Sequence, residues 1–136
     1  MAKEDGDLFC IYSNEEMSME NFSIDHFIPW SFVTHDQLWN LIPTSRSVNS
    51  SKGNNFPSLS EYLDPFVEIQ HKAFKIFLEN NQKHKNLLYD YTTIFKDDLN
   101  GIARLKPDEF GNVLKENINP LYQIGENMGF STDWTL

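Results

Sequence analysis

The sequence predicts an α+β fold, in which a small N-terminal unit of two strands and one short helix precedes a mainly α-helical extension. Three observations predict it. Residues 8–13 (LFCIYS) and 22–27 (FSIDHF) are short runs rich in β-forming residues, with turn formers between them. Residues 45–53 have a capping-type Thr44 or Ser45 at their start and Gly53-Asn54-Asn55 at their end, the punctuation of a short helix. After Pro57 the apolar residues Leu59, Leu63, Phe66, Val67, Ile69, Ala73, Phe74, Phe77 and Leu78 recur at helical intervals.

In chain order, Met1–Asp7 reads as a charged, frayed start. Leu8–Ser13 is the first strand, Asn14–Asn21 an acidic turn containing Met17 and Met19, and Phe22–Phe27 the returning strand, stopped at Pro29. A long loop over Ser31–Pro43 holds one helical turn headed by Asp36, with Trp30 and Trp39 as its core anchors and His35 at the surface. Ser45–Gly53 is the short helix. Ser58 begins a capping-box pattern with Glu61, and Pro65 divides the following run into a short helix ending near Leu63 and a longer one from Asp64 to Asn80. Leu87–Phe95, Asp108–Asn117 and Pro120–Met128 are further helices, and the tail after Gly129 carries Trp134, placed to dock on them. The composition shift divides the chain into residues 1–57 and a helical extension, 58–136, packed on that core.

With 136 residues, 40% hydrophobic and 14% aromatic, the chain can bury a proper core and is too apolar for disorder over most of its length. No apolar run reaches membrane-spanning length, and the start MAKEDGDLF lacks the apolar centre of a signal peptide, so a soluble cytoplasmic protein with no membrane partner is expected. A single cysteine, Cys10, excludes an internal disulfide framework.

The polar residues with chemical potential cluster between Ile24 and Pro57: Asp25, His26, Asn40, Arg46, Asn49 and Lys52. Neighbouring side chains of a strand point to opposite faces, so an Asp-His pair cannot lie wholly in a core without a polar reason on each side. Asp25 offers a hard carboxylate suited to Mg²⁺, and His26 can take a proton near neutral pH. Arg46, Asn49 and Lys52 recur at helical spacing and can share one face. Taken singly, each has an ordinary reading: Asp25 as a cap, His26 as a satisfied half-buried histidine, Asn40 as a turn residue, Asn49 as a helix cap, Lys52 as a solvated charge. Glu68 and His71 form a lone Glu-x-x-His pair, read as a solvated helix face.

Taken in order and spacing, Asp25-His26, Pro29, Asn40 after Leu38-Trp39, and Asn49 three residues before Lys52 resemble the HNH endonuclease family. The resemblance runs from about Phe9 to about Pro57 and is nearest to the type with Asn in the last position, as in the HNH domains of RNA-guided CRISPR nucleases. It implies a ββα-metal core around one divalent ion, Mg²⁺ or Mn²⁺. It also implies Asp25 at the end of the second strand and Asn49 as metal ligands, His26 as general base, Asn40 orienting that base, and Lys52 with Arg46 facing the substrate phosphate. DNA is the expected partner, and hydrolysis of its phosphodiester bonds the expected reaction.

Members of this subtype often hold a structural zinc on two Cys-x-x-Cys pairs. Here the corresponding positions are Cys10 and Ser13, then Ser45 and Val48, so no structural zinc is expected and Val48 should fill the space by packing. The net charge of −9 is unlike the basic footprint of a free-standing DNA-binding protein. Two accounts stay open: the acid lies on faces remote from the site, or another domain or subunit supplies DNA binding. The competing expectation is a non-catalytic nucleic-acid or protein interaction module that keeps the HNH shell.

Overall fold

A computed structural model describes residues 8–18 and 20–136; the expected frayed start at Met1–Asp7 and the side of the acidic turn at Met19 lie outside the described residues. The chain is α+β, with short strands at the N-terminal end and helices through the rest. Its strands pair differently from the expectation. Strand β1, Leu8–Phe9, is cut short by a turn in which Asn14 takes a left-handed backbone (φ 62°), and it pairs with β2, Glu16–Met17, inside the segment expected to be only a turn. Strand β3, Ser23–His26, pairs instead with β4, Leu41–Thr44, in register Asp25 to Ile42 and His26 to Leu41. The ββα unit is therefore β3, β4 and the next helix, and Asp25 stands on the first strand of the working pair rather than the second.

Strand β4 was hidden by Pro43, which lacks the N–H that a central strand needs. A two-stranded sheet has only edges, so Pro43 costs it no interior hydrogen bond. Between the two strands the expected loop contains one helical turn, α1, Trp30–Val33, closed by Thr34 in the left-handed region (φ 56°), and a 3₁₀ turn, Leu38–Asn40. Trp39 is buried as a core anchor, whereas Trp30 is 51% exposed on α1 and anchors nothing. Helix α2, Arg46–Lys52, falls where the capping signals put it: Ser45 Oγ accepts from the Val48 N–H, and Gly53 ends the helix at positive φ. Val48 is buried, so the position of a lost thiol is filled by packing.

The prolines of the extension do not break it. Helix α3, Leu59–Asn80, runs through Pro65, and the helix reaching from Pro107 to Asn127 runs through Pro120, joining two helices expected to be separate. In each case the carbonyl that loses its partner belongs to an exposed residue, Glu61 or Glu116, where water can replace the missing N–H. Phe66 and Val67, which follow Pro65, and Ile118, two residues before Pro120, bury the helix face and hold it continuous. Ser58 stands at the cap of α3, but its hydroxyl meets Ser60 Oγ instead of a backbone N–H, so the expected capping box does not form.

A 3₁₀ segment, Gln82–Leu88, leads into α4, Tyr89–Phe95, and α5, Leu99–Ala103, which absorbs the expected Asn100-Gly101 break because Asp98 Oδ1 caps the Gly101 N–H. The long last helix, Pro107–Asn127, is α6. Its Phe110, Leu114 and Ile118 are wholly buried, and Phe110 sits among His71, Phe74, Tyr91 and Phe95. His71 therefore packs half-buried on an aromatic ring, contrary to the solvated face expected for it. The tail docks as expected: the Trp134 N–H donates to Phe56 O, the Ser58 N–H to Trp134 O, and the Trp134 ring lies 5.3 Å from that of Tyr12. One apolar core runs from Cys10 to Ile118, and the stacked rings of Phe27 and Phe66, 4.1 Å apart, tie the sheet end to α3. Among the described residues no helix is long and apolar enough to cross a membrane.

Candidate active site

Strand β3 inverts the usual rule of sides. Ile24 is 50% exposed, whereas the next residue, Asp25, is only 4% exposed and points into the protein. A carboxylate takes an inward position only if it finds partners. Tyr12 donates its hydroxyl to Asp25 Oδ2 at 3.0 Å, and the Lys52 ammonium lies 3.3 and 3.4 Å from the two carboxylate oxygens. Lys52 is itself 0% exposed and donates to the carbonyl of His26 at 2.8 Å.

Burial pushes the Asp25 carboxyl above the ordinary carboxylate range, although Lys52 and the Tyr12 hydroxyl pull it down. Burial likewise pushes the Lys52 ammonium down against the pull of Asp25, and it raises the Tyr12 phenol, with the Asp25 charge adding to the effect. For Asp25 and Lys52 desolvation outweighs their mutual attraction, so the pair is enclosed at a cost that pairing does not cover.

His26 closes β3 on the opposite face. Its Nε2 lies 2.7 Å from Asp36 Oδ1, and its side chain is 25% exposed. Asn40, wholly buried, does not touch the His26 ring. Its Oδ1 accepts from the Ile28 N–H at 2.8 Å, its Nδ2 donates to Ile28 O at 2.9 Å, and its carbonyl accepts from the Phe27 N–H at 2.8 Å. It fixes the chain leaving His26 through both backbone groups of Ile28.

Along α2 the sequence placed Arg46, Asn49 and Lys52 on one face, and burial rises along it: Arg46 exposed, Asn49 half-buried, Lys52 enclosed. Lys52 stands against Asp25 and the His26 carbonyl rather than open to a phosphate. Arg46 makes no ion pair among the described residues, and the Asn49 side chain no hydrogen bond among them. Two site residues escaped the sequence. Tyr12 reads there only as a strand residue, and Asp36 only as the head of a helical turn, which begins two residues later, at Leu38.

Residues 10–58 match the HNH endonuclease family, so the resemblance carried by Asp25-His26, Asn40 and Asn49 is shown for that segment. The chain is also 35% identical over 52 residues to a CRISPR-associated endonuclease Cas9 of Listeria innocua serovar 6a (strain ATCC BAA-680 / CLIP 11262). The similarity covers 36% of this chain and spans only about 4% of the length of that relative. The match supports nuclease activity in general and a nucleic-acid substrate, and nucleases of this family generally use a divalent metal ion.

Asp25 and Asn49 carry hard oxygens, a carboxylate and a carboxamide, of the kind that could hold such an ion. Among the described residues no three His, Cys, Asp or Glu side chains come together to cage a metal. Mg²⁺ is commonly held by one or two protein carboxylates together with water and phosphate, so a small set of oxygen donors would suffice. Hard-oxygen chemistry is compatible with such an ion, because Asp25 is a buried carboxylate whose one cationic partner among the described residues, Lys52, stands at long hydrogen-bond distance, with the Tyr12 hydroxyl as its other donor.

Proposed function

We propose that this chain, with its HNH segment at residues 10–58, is a metal-dependent DNA endonuclease unit, residues 1–57 carrying the chemistry and residues 58–136 forming the helical scaffold packed against it. The observation that supports the reading best is the inward Asp25, a buried carboxylate beside a proton-accepting His26 at the end of one short strand. A core has no use for such a pair, and phosphodiester hydrolysis needs both.

His26 takes a proton from a water molecule, and the resulting hydroxide attacks the scissile phosphorus. The new P–O bond forms as the bond to the 3′ oxygen breaks. Its electron pair stays on that oxygen, which is then protonated by solvent, leaving a 5′-phosphate and a 3′-hydroxyl. Asp25 and Asn49 would hold the divalent ion, Mg²⁺ or Mn²⁺, which when bound supplies positive charge to the phosphate and the leaving oxygen. Asn40 keeps the strand exit rigid so that His26 stays in reach of the attacking water. Lys52 would supply positive charge beside the phosphate from its place against Asp25 and the His26 carbonyl, and Arg46, exposed on the same helix, would meet the backbone of the DNA. The net charge of −9 favours a further domain or subunit that supplies most of the DNA affinity.

The test is cleavage of supercoiled plasmid with Mg²⁺ or Mn²⁺, with EDTA and His26→Ala run in parallel. Nicking or linearisation that needs the ion and disappears in His26→Ala is expected. Folded protein that cuts with neither ion refutes an autonomous nuclease and leaves the interaction module, which the Lys52–Asp25 pairing in the ion's place favours.

A further inference from the structure

We propose that Asp36 is a positioning residue for His26, holding the imidazole by Nε2–H so that Nδ1 presents the lone pair that takes the proton from water. The inference rests on the nuclease reading but concerns a residue that the motif does not contain. Three features carry it. First, the Asp36 carboxylate lies 2.7 Å from Nε2, a charge-assisted hydrogen-bond distance. Second, Nδ1 has no hydrogen-bond partner among the described residues, and it is not one of the buried atoms left without one, which are Thr44 Oγ1 and His71 Nε2. With one ring nitrogen occupied by an acceptor, the other is the basic one and is open to solvent.

Third, Asp36 is carried by a pinned loop. The Gln37 N–H donates to His35 Nδ1 at 3.2 Å, and the Trp39 indole N–H donates to Gln37 Oε1 at 2.6 Å. The Leu38 N–H reaches across to Asp90 Oδ2 on α4 at 3.0 Å, and the buried Asn40 closes the loop against Ile28. Among the described residues the one side-chain hydrogen bond of Asp36 is to His26, and its side chain is 74% exposed, so as an exposed pair it gives the fold little. When His26 becomes an imidazolium the carboxylate faces the new charge, while Nε2–H stays where it was and only Nδ1 changes its proton.

The experiment compares the parent with Asp36→Ala and Asp36→Asn, using His26→Gln to assign the ring signals among the four histidines. Because the carboxylate is largely exposed, both Asp36 variants should unfold thermally like the parent. In proton–nitrogen NMR spectra recorded without metal or DNA, the parent should show a hydrogen-bonded His26 Nε2–H. Asp36→Ala should lose that signal, and Asp36→Asn, whose amide oxygen still accepts, should keep it. In plasmid cleavage, Asp36→Ala should lower kcat by about ten-fold with KM unchanged, the scale of a supporting carboxylate behind an active-site histidine. Asp36→Asn should recover part of that loss.

A His26 ring signal indifferent to Asp36, a parent ring carrying its proton on Nδ1, or an unchanged kcat in Asp36→Ala overturns the proposal. If the parent does not cut at all, the nuclease reading is what fails, and the ring signal alone decides whether Asp36 holds His26.

Discussion

The two ends of this molecule bury different things. Around β3 and α2 the enclosed side chains include Asp25, Asn40, Thr44 and Lys52, whereas α3, α4 and α6 enclose Phe66, Phe74, Phe110, Leu114 and Ile118. These apolar side chains carry no charge to strip of water, and they stabilise in proportion to the area they remove from it. Enclosed charges must first be stripped of water, and their attraction seldom returns more than that cost. The difference teaches that the helical end supplies the stability which the strand end spends on holding a carboxylate, an ammonium and an imidazole in fixed relation. It also says how each end should break.

The largest effect is expected at Lys52. Lys52→Met leaves Asp25 buried without its cation and should destabilise the protein by about 3–5 kcal/mol. Replacing the whole group together, Asp25→Leu, Lys52→Met and Tyr12→Phe, removes the charges and the orphan hydroxyl at once and should return most of that stability while abolishing cleavage. Urea unfolding of the single and triple variants checks this, and a triple variant no more stable than the single one refutes the account of a paired buried charge. At the other end, Phe110→Ala opens a void among Phe74, Tyr91 and Phe95 and should also cost about 3–5 kcal/mol, with no second substitution that cancels it by removing a partner.

An intermediate effect is expected at Asn40. In Asn40→Ala both backbone groups of Ile28 lose their partners inside the protein, at about 1–3 kcal/mol for each group left unpaired. The loss should appear first as faster amide hydrogen exchange at Phe27 and Ile28. A protein of parental stability and exchange would show that Asn40 does not clamp the strand exit.

Much of this contrast could be read before the fold was known. The amphipathic spacing of α3 and α6 is a local property, so the helices were legible. The Asp25-His26 pair was legible because adjacent polar residues in a strand need a reason on both faces. What escaped was set by distant partners or by tolerance. Pro65 and Pro120 read as breakers and Pro43 as the end of a loop, yet each falls where the missing N–H costs little, at a sheet edge or beneath an exposed carbonyl. Lys52 read singly as a solvated charge and through the resemblance as a phosphate contact, because lysine is ordinarily outside, and its neighbour in space, Asp25, draws it in. Asp36 and Tyr12 meet His26 and Asp25 across ten and thirteen residues, pairings that no periodicity encodes.

The smallest effect is expected where the two ends meet. Gln70 of α3 is buried, and its Nε2 donates to Leu41 O at 2.6 Å and Leu38 O at 3.2 Å on the sheet side, while its Oε1 accepts from the Tyr91 hydroxyl of α4. This is a polar seam inside otherwise apolar packing, and it fixes the level of β4 against α3. Tyr91→Phe keeps the ring among Phe74, Phe95 and Phe110 but leaves Gln70 Oε1 unpaired, so it should cost about 1–3 kcal/mol at neutral pH. Burial, with the Asp90 charge adding to it, pushes the Tyr91 phenol well above its ordinary value. A raised value in the folded state means that this group's contribution is complete below the unfolded phenol value of about 10 and is lost as pH rises through the folded one. The parent should therefore lose stability above pH of about 10, and the gap to Tyr91→Phe should narrow there, because the variant has no phenol to ionise. Unfolding midpoints of both proteins across that range would show the convergence. A gap that stays constant would mean that the Tyr91 hydroxyl is not enclosed against Gln70, and the seam would then be apolar packing like the rest of the helical end.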